Sequence, residues 1–240
     1  MAITIKSERE IELMAEAGKI LERVHNELEK ALHPGMSTKD IDTLGEKIIR
    51  SYGCIPSFLN YNGYPASICV SVNQEVVHGI PDKHRIIHEG DIVSLDAGVI
   101  YKGYHSDAAR THAVGEVSEE AKKLIQVTKE CFFEGIKYAK AGNHLFDISG
   151  AIGRYAEERG YGVVRDLCGH GIGTALHEAP EIPNYEVGRK GVKLRPGMTL
   201  AIEPMINIGT YEVDWLDDDW TVVTRDGSLS AHYENTILIT

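Results

Sequence analysis

Four acidic residues in apolar, strand-like sequence are the first candidates for chemistry. Asp96 and Asp107 belong to SLDAGVIYKGYHSDAAR (94–110), and Glu203 and Glu234 belong to the later stretches AIEP and HYEN. Apolar neighbours predict that these carboxylates are at least half buried, where each would cost several kcal/mol if left charged and unpaired. Two divalent cations would cancel the four formal charges, so the residue types favour a dinuclear metal site.

The first two acids are predicted to face the same side of a β-hairpin. Lys102 and Gly103 form a two-residue turn. This turn places Gly98 opposite Asp107, and Asp96 becomes the diagonal neighbour at a Cβ separation of about 7–8 Å or somewhat less. Two carboxylates at that spacing can bracket ions that lie about 3.5–4 Å apart.

An alternative remains for each acid taken alone. A single Asp in a strand more often faces solvent or pairs with a cation, and Arg110 and nearby lysines are candidates for that pairing. Four acids related by an internal repeat favour metal binding over this alternative.

Periodicity predicts the elements that carry the acids. Apolar residues at three- and four-residue spacing predict helices over about 8–32, 38–53, 118–136 and 145–158, and alternation predicts strands over 67–72, 91–101 and 104–114. The order of helices followed by strands occurs twice. This predicts an α+β fold in which one catalytic domain, 1–240, contains two halves of about 8–114 and 118–240.

A constant offset supports the repeat. Gly35, Asp40 and Asp96 recur 107 residues later as Gly142, Asp147 and Glu203. The triplet HSD (105–107) matches HYE (232–234) at an offset of 127, which indicates an insertion of about 20 residues at NIGTYEVDWLDDDW. Each half is therefore expected to contribute one hairpin with two acids.

Histidines near glycine or proline are candidates to complete the site. His170 lies in LCGHGIG, whose glycines permit close backbone approach and positive φ, and His78 ends a strand in VVHGIP. LHEAP, which contains His177, lacks the second histidine of H-E-x-x-H, so the helical zinc-protease motif is excluded. Each histidine taken singly is also compatible with an ordinary loop position. Mostly oxygen ligands with one imidazole suit Mn, Fe(II) or Co better than a thiolate zinc site.

Composition excludes several function classes. The 240 residues are 42% hydrophobic, enough for a sizeable core, and a net charge of -11 without a basic run argues against nucleic-acid binding. No apolar stretch approaches the roughly 18 residues of a spanning helix, and MAITIKSERE has no secretory h-region. Four scattered cysteines without C-x-x-C are expected to be reduced thiols. We expect a cytoplasmic monomer without a membrane partner.

Seven short motifs resemble those of one peptidase family. VVHGIP, SLDAG, YHSDAART, GHGIG, LHEAP, IEP and YENT together are similar to methionine aminopeptidases of the short bacterial type I form, over essentially the whole chain. Several motifs are shared with prolidase and creatinase, so their spacing in a short chain specifies the family. The resemblance implies a pita-bread fold: two pseudo-symmetric halves with a curved antiparallel sheet covered by helices. It also implies removal of the initiator methionine from nascent polypeptide N-termini, with the ribosome as one place of encounter.

The resemblance further implies a role for each site residue. The metal ligands for two divalent ions (Mn, Fe(II), Co or Zn) would be Asp96, Asp107, His170, Glu203 and Glu234, with Asp107 and Glu234 bridging. The catalytic residues would be His78, His177 and Glu203. The methionine pocket would contain Tyr61, Tyr64, Cys69 and Trp220, flanked by Phe58 and Leu176. Phe58 stands where bacterial members commonly have Cys, and Leu176 where Phe is common.

Two other functions remain as hypotheses. A metallopeptidase of the same superfamily that cuts X-Pro bonds would usually carry an additional N-terminal domain. A non-catalytic binding protein on this fold would usually have lost ligands, whereas all five are present here. The acidic segment DWLDDDW (214–220) could bind a partner, but a solvated hairpin tip is the favoured interpretation.

Overall fold

The computed structural model describes residues 2–240. Its helices are α1 (Glu8–Ala31), α2 (Thr38–Ser51), α3 (Glu119–Ile136) and α4 (Leu145–Glu157), with a 3₁₀ turn at Tyr61–Gly63. The strands of the first half are β1 (Ile55–Pro56), β2 (Ile68–Val72), β3 (Glu75–Val77), β4 (Ile92–Tyr101) and β5 (Tyr104–Ala113). The later strands are β6 (Gly162–Val163), β7 (Gly169–Gly171), β8 (Glu178–Ile182), β9 (Thr199–Ile202), β10 (Met205–Asn207), β11 (Val213–Trp215), β12 (Val222–Thr224), β13 (Ser230–His232) and β14 (Asn235–Leu238). The predicted helices are confirmed.

Side-chain caps begin the helices where the sequence predicts. Ser37 Oγ accepts a hydrogen bond from the Asp40 N–H at 3.1 Å, and Asp40 Oδ2 accepts one from the Ser37 N–H at 2.8 Å. This reciprocal capping box satisfies two backbone donors at the start of α2. Asp147 Oδ2 likewise accepts the N–H of His144, at 2.8 Å, at the start of α4. The caps fix where each helix begins.

The hairpin of β4 and β5 has the predicted register. Gly98 pairs with Asp107, and Asp96 pairs with Ala109, so Asp96 is the diagonal neighbour of Asp107. The two-residue turn is Lys102 at φ +49° followed by Gly103 at φ +88°. Because side chains two residues apart share a face, both carboxylates project from the same face of the sheet.

The backbone hydrogen bonds repeat between the halves. The Gly35 N–H donates to Ile87 O at 2.8 Å, and the Gly142 N–H donates to Leu194 O at 3.0 Å. Both partners are shifted by the same 107 residues that the sequence repeat predicts. The two halves therefore use the same connection between their helices and their sheet.

The second pair of acid-bearing strands departs from the expected arrangement. Strand β9 pairs with β14 and β10 pairs with β13 in one continuous register, in which Ile202 faces Asn235 and Met205 faces His232. Glu203 therefore lies directly across from Glu234, not diagonally. The expectation that the second half repeats the first hairpin is wrong in this respect, because an insertion containing β11 and β12 replaces the short turn.

The two halves meet along their acid-bearing strands. The Ala109 N–H donates to Glu234 O at 3.3 Å, and the Glu234 N–H donates to Ala109 O at 3.0 Å. The chain segments that carry Asp107 and Glu234 are thus neighbours. One large apolar cluster packs α1 and α2 on the first sheet, and another packs α3 and α4 on the second. Within residues 2–240, no helix is long and apolar enough to cross a bilayer.

Candidate metal centre and substrate cavity

The predicted site residues converge on one cavity of about 130 Å³ between the two halves. Its wall is formed by every residue that the sequence singled out, namely Phe58, Tyr61, Tyr64, Cys69, His78, Asp96, Asp107, His170, Leu176, His177, Glu203, Trp220 and Glu234, together with Asn62. One end of the wall is apolar and aromatic, and the other end carries the carboxylates.

The carboxylates and one imidazole are close enough to share a metal ion. Ligand atoms of Asp107, His170 and Glu234 all lie within 4.8 Å of one another. His170 Nε2 lies 3.9 Å from Asp107 Oδ2 and 3.7 Å from Glu203 Oε1. These separations are too long for direct hydrogen bonds and suit ligands arranged around an ion with bonds of about 2.0–2.2 Å.

No basic side chain neutralises these acids. Within residues 2–240, no Lys or Arg nitrogen forms an ion pair with any of the four carboxylates. Arg110 donates instead to the backbone oxygens of Ala109 and Glu234 and stacks over the Tyr233 ring at 4.2 Å. The alternative of pairing with Arg110 is therefore excluded, and the guanidinium instead fixes the backbone beside Glu234.

The electrostatics of the four acids fit divalent metal ions. Burial, followed by the charge of neighbouring carboxylates, raises the pKa values of Asp96, Glu203 and Glu234 well above their ordinary range. Burial also raises the pKa of Asp107 to about 7. Asp96 Oδ1, Asp107 Oδ1 and Glu234 Oε1 are buried without a hydrogen-bond partner. Oxygen atoms of this kind are the ligands that hard divalent ions prefer.

His170 is held as a neutral imidazole with its free lone pair facing the acids. Its Nδ1 donates to Gly171 O at 2.8 Å, which leaves Nε2 without a proton. Burial lowers its pKa to about 3. The close backbone approach that the sequence predicts for the flanking glycines is confirmed, because a Cβ at Gly169 would collide with Ala201 O and one at Gly171 with Ala179 O. Neither glycine adopts the positive φ that its residue type would also permit.

Two further histidines face the cavity on either side of the acids. The rings of His177 and His170 lie 4.2 Å apart, and His177 Nδ1 shares a hydrogen bond of 2.8 Å with the Tyr61 hydroxyl. His78 adopts φ +60°, a backbone conformation that is uncommon outside glycine and that clusters at functional sites. Burial, with a contribution from His177, lowers the pKa of His78 to about 4.

The apolar end of the cavity is a packed wall of aromatic and aliphatic side chains. The rings of Tyr64 and Trp220 meet edge to face at 5.1 Å, and Phe58 and Leu176 are buried in the same cluster. Cys69 pairs with Asp96 across β2 and β4, so the thiol lies beside the carboxylates. The wall therefore offers an apolar pocket directly next to the charged end.

Two residues of the site escaped the sequence analysis. Asn62 lines the cavity, and the 3₁₀ turn that carries it offers no sequence signal of function. His232 is 2% exposed and places Nε2 at 3.9 Å from both Glu203 Oε2 and Glu234 Oε2. A signal for His232 was available, because it begins the HYE triplet that identified Glu234. Of the acidic segment 214–220, residues 214–219 are exposed, as the favoured interpretation predicts, whereas Trp220 is half-buried and lines the cavity.

Comparisons with known proteins agree with this site. The model of metallopeptidase family M24 matches residues 12–240. The methionine aminopeptidase of Clostridium acetobutylicum is 60% identical over 237 residues, covering 99% of this chain and 95% of the relative. The crystal structure of methionine aminopeptidase from Thermotoga maritima superposes with a TM-score of 0.97 at 48% identity, covering 100% of this chain and 96% of that chain.

An X-Pro peptidase is a more distant neighbour. The Xaa-Pro dipeptidase from Bacillus anthracis gives a TM-score of 0.77 at 28% identity, and the match covers 98% of this chain but 59% of that longer chain. Identity and coverage thus both favour the shorter enzymes, and the pita-bread fold predicted from the motifs is confirmed. The chain belongs to metallopeptidase family M24 and, within it, to the methionine aminopeptidases.

Proposed function

We propose that this chain removes the N-terminal methionine from nascent polypeptides by hydrolysing the first peptide bond. The observation that carries this function is a cluster of four carboxylates without a basic partner, three of them buried and the fourth, Glu203, with a side chain 14% exposed, in a cavity of about 130 Å³ whose remaining wall is largely apolar. The charged end supplies a place for metal ions, and the apolar end supplies a place for a thioether side chain. Removal of an N-terminal methionine requires that the charged end and the apolar end of the cavity lie side by side.

Two divalent ions are proposed for the charged end, where Asp96, Asp107, His170, Glu203 and Glu234 would hold them. The unpartnered oxygens of Asp96, Asp107 and Glu234 support this set, as does the free Nε2 of His170. Mn, Fe(II), Co and Zn all remain candidates, since the oxygen-rich donors accept each of them. Bound ions would supply Lewis acidity that activates water and the scissile carbonyl.

The protein's own groups would move the proton and stabilise the developing charge. Glu203 would accept the proton from the attacking water and pass it to the leaving amine. The Tyr61 hydroxyl, whose pKa burial raises, would donate to His177 Nδ1 and so leave the proton of His177 on Nε2. His177 would then present an N–H to the tetrahedral oxyanion. His78, neutral because of burial, would accept a hydrogen bond from the substrate amine.

The methionine side chain would occupy the apolar end. Tyr64, Cys69 and Trp220 would line it, with Phe58 and Leu176 closing its base. The flexible, polarizable thioether suits aromatic walls. A longer or charged first residue would meet buried apolar groups, which disfavours it.

The free cysteines and the net charge support a proposal for the cellular setting. All four cysteines are free, three of them buried, which agrees with a reducing compartment such as the cytoplasm. We propose that residues 1–240 act as one catalytic domain, with halves of about 8–114 and 118–240. It would act as a monomer on nascent chains that emerge at the ribosome, and its net charge of -11 disfavours direct contact with RNA.

A comparison of three peptides tests the proposed function. We would load the purified protein with Mn(II), Fe(II), Co(II) or Zn(II) in turn and follow cleavage of Met-Ala-Ser, acetyl-Met-Ala-Ser and Ala-Pro-Ser by mass spectrometry. Release of methionine from the first peptide alone is expected, because the acetyl group removes the free amine. Cleavage of Ala-Pro-Ser alone would instead assign the chain to the X-Pro peptidases. No cleavage of any peptide with any of the four metals would favour a binding protein.

A further inference from the structure

His232 is a buried polar side chain at the metal centre to which neither the proposed ligand set nor the proposed mechanism gives a role. It is the last residue of β13, is 2% exposed, and has no hydrogen-bond partner for either ring nitrogen within residues 2–240. Its Nε2 lies 3.9 Å from Glu203 Oε2 and 3.9 Å from Glu234 Oε2. Since a buried imidazole without partners is costly, its orientation toward two carboxylates needs an explanation.

The backbone of His232 is held firmly by the neighbouring strand. Thr111 Oγ1 accepts the His232 N–H at 2.8 Å and donates to His232 O at 3.0 Å. The only hydrogen of this hydroxyl is thus used, so Ser94 Oγ must be the donor in its 2.8 Å hydrogen bond with Thr111. This three-residue link between β4, β5 and β13 fixes the point from which the ring projects.

The surroundings of the two ring nitrogens decide which one carries the proton. In His170, Nδ1 donates to Gly171 O, and Nε2 keeps the lone pair that a metal ion needs. Among the described residues, none forms a hydrogen bond with His232 Nδ1. A proton there would be a buried, unpaired N–H, whereas a proton on Nε2 faces two carboxylate oxygens. His232 is therefore a hydrogen-bond donor and not a second imidazole ligand.

We propose that His232 is a positioning residue that donates its Nε2–H to Glu203 Oε2. The inference rests on the proposed function, because it takes Glu203 and Glu234 as metal ligands. As a proposed metal ligand, Glu234 would be turned towards the ions, and Glu203 Oε1 already lies 3.7 Å from His170 Nε2. Glu203 Oε2 is left as the free acceptor, and a movement of about 1 Å brings it to hydrogen-bond length. The bond holds the side-chain rotamer in which Glu203 reaches both the ion and the attacking water.

Substitutions that keep or remove a donor at the Nε2 position test this role. The amide nitrogen of Gln reaches about as far as Nε2, whereas that of Asn reaches only as far as Nδ1. We would measure kcat and KM of the Mn(II)-loaded protein on Met-Ala-Ser for His232→Leu, His232→Asn and His232→Gln. His112→Leu is the matched control, since His112 is another largely buried histidine, on β5, that does not line the cavity.

We expect His232→Leu and His232→Asn to lose kcat and His232→Gln to retain most of it. Leu and Asn should lower kcat about 10- to 100-fold with KM nearly unchanged, as for a lost hydrogen bond to a charged group, and Gln should restore most of it. His112→Leu should leave kcat unchanged. A His232→Leu variant with the kcat of the native protein would overturn the proposal. So would a His232→Gln variant with a kcat as low as that of His232→Leu, if both variants have the native melting temperature.

Measurements of metal binding distinguish a failure of this proposal from a failure of the proposed function. Pulsed EPR of the Mn(II)-loaded protein counts coordinated imidazole nitrogens, and elemental analysis counts ions per chain. We expect both counts to be unchanged in His232→Leu and the imidazole signal to be lost in His170→Gln. A signal that falls in His232→Leu would make His232 a ligand and overturn its role as a donor. A native protein that binds no ion would overturn the proposed function itself.

Discussion

In the proposed mechanism Glu203 combines two duties within one largely buried side chain, as a ligand beside His170 and as the carrier of a proton. Burial, and then the charge of Asp107, raises the pKa of its carboxyl well above the ordinary value, which favours the protonated form in the metal-free protein. A group that both binds an ion and moves a proton is sensitive to any loss of charge. Its replacement therefore tests chemistry more than packing.

Glu203→Gln keeps the size of the side chain and removes its basicity. We expect kcat on Met-Ala-Ser to fall by about 10²–10⁴-fold, the usual contribution of a positioned proton carrier, with little change in melting temperature. Steady-state kinetics of the metal-loaded variant measure this. Glu181→Gln, on the exposed side of β8, is the matched control and should have native turnover. Near-native turnover of Glu203→Gln with ions bound would remove Glu203 from the mechanism.

The Tyr61 hydroxyl is predicted to act through His177. Tyr61→Phe removes the 2.8 Å hydrogen bond to His177 Nδ1 and so frees the ring to adopt the other tautomer. We expect kcat to fall about 10-fold with a smaller change in KM, because the N–H that meets the oxyanion is no longer fixed. Tyr104→Phe, which loses a hydrogen bond to Glu10 outside the cavity, should be unaffected. Equal kinetics for both variants would contradict this role.

Two glycines on strand β7 let the backbone beside His170 pack closely against neighbouring backbone. This close packing sets how near His170 lies to the carboxylates. Gly171 lies against the backbone of Ala179, and backbone cannot move aside as a flexible side chain can. We expect Gly171→Ala to lower the free energy of unfolding by about 1–3 kcal/mol and to weaken metal binding. Urea unfolding and metal titration measure the two effects.

A second glycine provides the control for that substitution. Gly18 is inside helix α1, and a Cβ there would meet only Ser106 Oγ at an ordinary 3.7 Å. Gly18→Ala should stabilise the protein by about 0.5–1 kcal/mol, because alanine loses less entropy than glycine when a helix forms. A Gly171→Ala protein as stable as Gly18→Ala would show that the close approach at β7 is not required.

The elements also show why one acid pair was predictable and the other was not. The two-residue turn after Tyr101 fixes the register of β4 and β5, so the diagonal relation of Asp96 and Asp107 follows from sequence alone. Between Glu203 and Glu234 an insertion replaces that turn, and no local signal sets their register. The surroundings of His232 were not predictable for a related reason, since its neighbours Thr111 and Glu203 are distant from it in sequence.

For the whole molecule, burying four acids together makes the metal-free protein sensitive to pH. A group whose pKa is higher in the folded than in the unfolded state loses its stabilising contribution as pH rises through the folded pKa. For Asp107 this window runs from the ordinary 3.8 to about 7. Buried histidines with lowered pKa values act in the opposite direction, so the native protein alone does not isolate the acids.

Asp107→Asn isolates the contribution of the acid, because the histidines are common to both proteins. Without metal, we expect the variant and the native protein to have similar stability near pH 4. Near pH 8 the variant should be more stable by roughly 2–4 kcal/mol, since Asn carries no charge to bury. Denaturant unfolding across this pH range measures the difference. A difference that shrinks as pH rises would contradict the charge burial.

With metal ions bound, the native protein should become more stable than Asp107→Asn near neutral pH. Mn(II) should raise the melting temperature of the native protein in proportion to its binding and leave Asp107→Asn almost unchanged, because a ligand that binds only the folded state stabilises it. Scanning calorimetry with and without Mn(II) measures both proteins under the same conditions. Equal stabilisation of the two proteins would place the bound ion elsewhere.

A metal titration of the stripped protein, with methionine release from Met-Ala-Ser as the readout, tests the proposed metal centre and the proposed activity together. The metal-free protein should release no methionine, and added Mn(II), Fe(II), Co(II) or Zn(II) should restore release, saturating at no more than about two ions per chain. Methionine release by protein shown to be free of metal, or no release with every ion bound, would contradict a metal-dependent peptidase centre formed by these four clustered carboxylates.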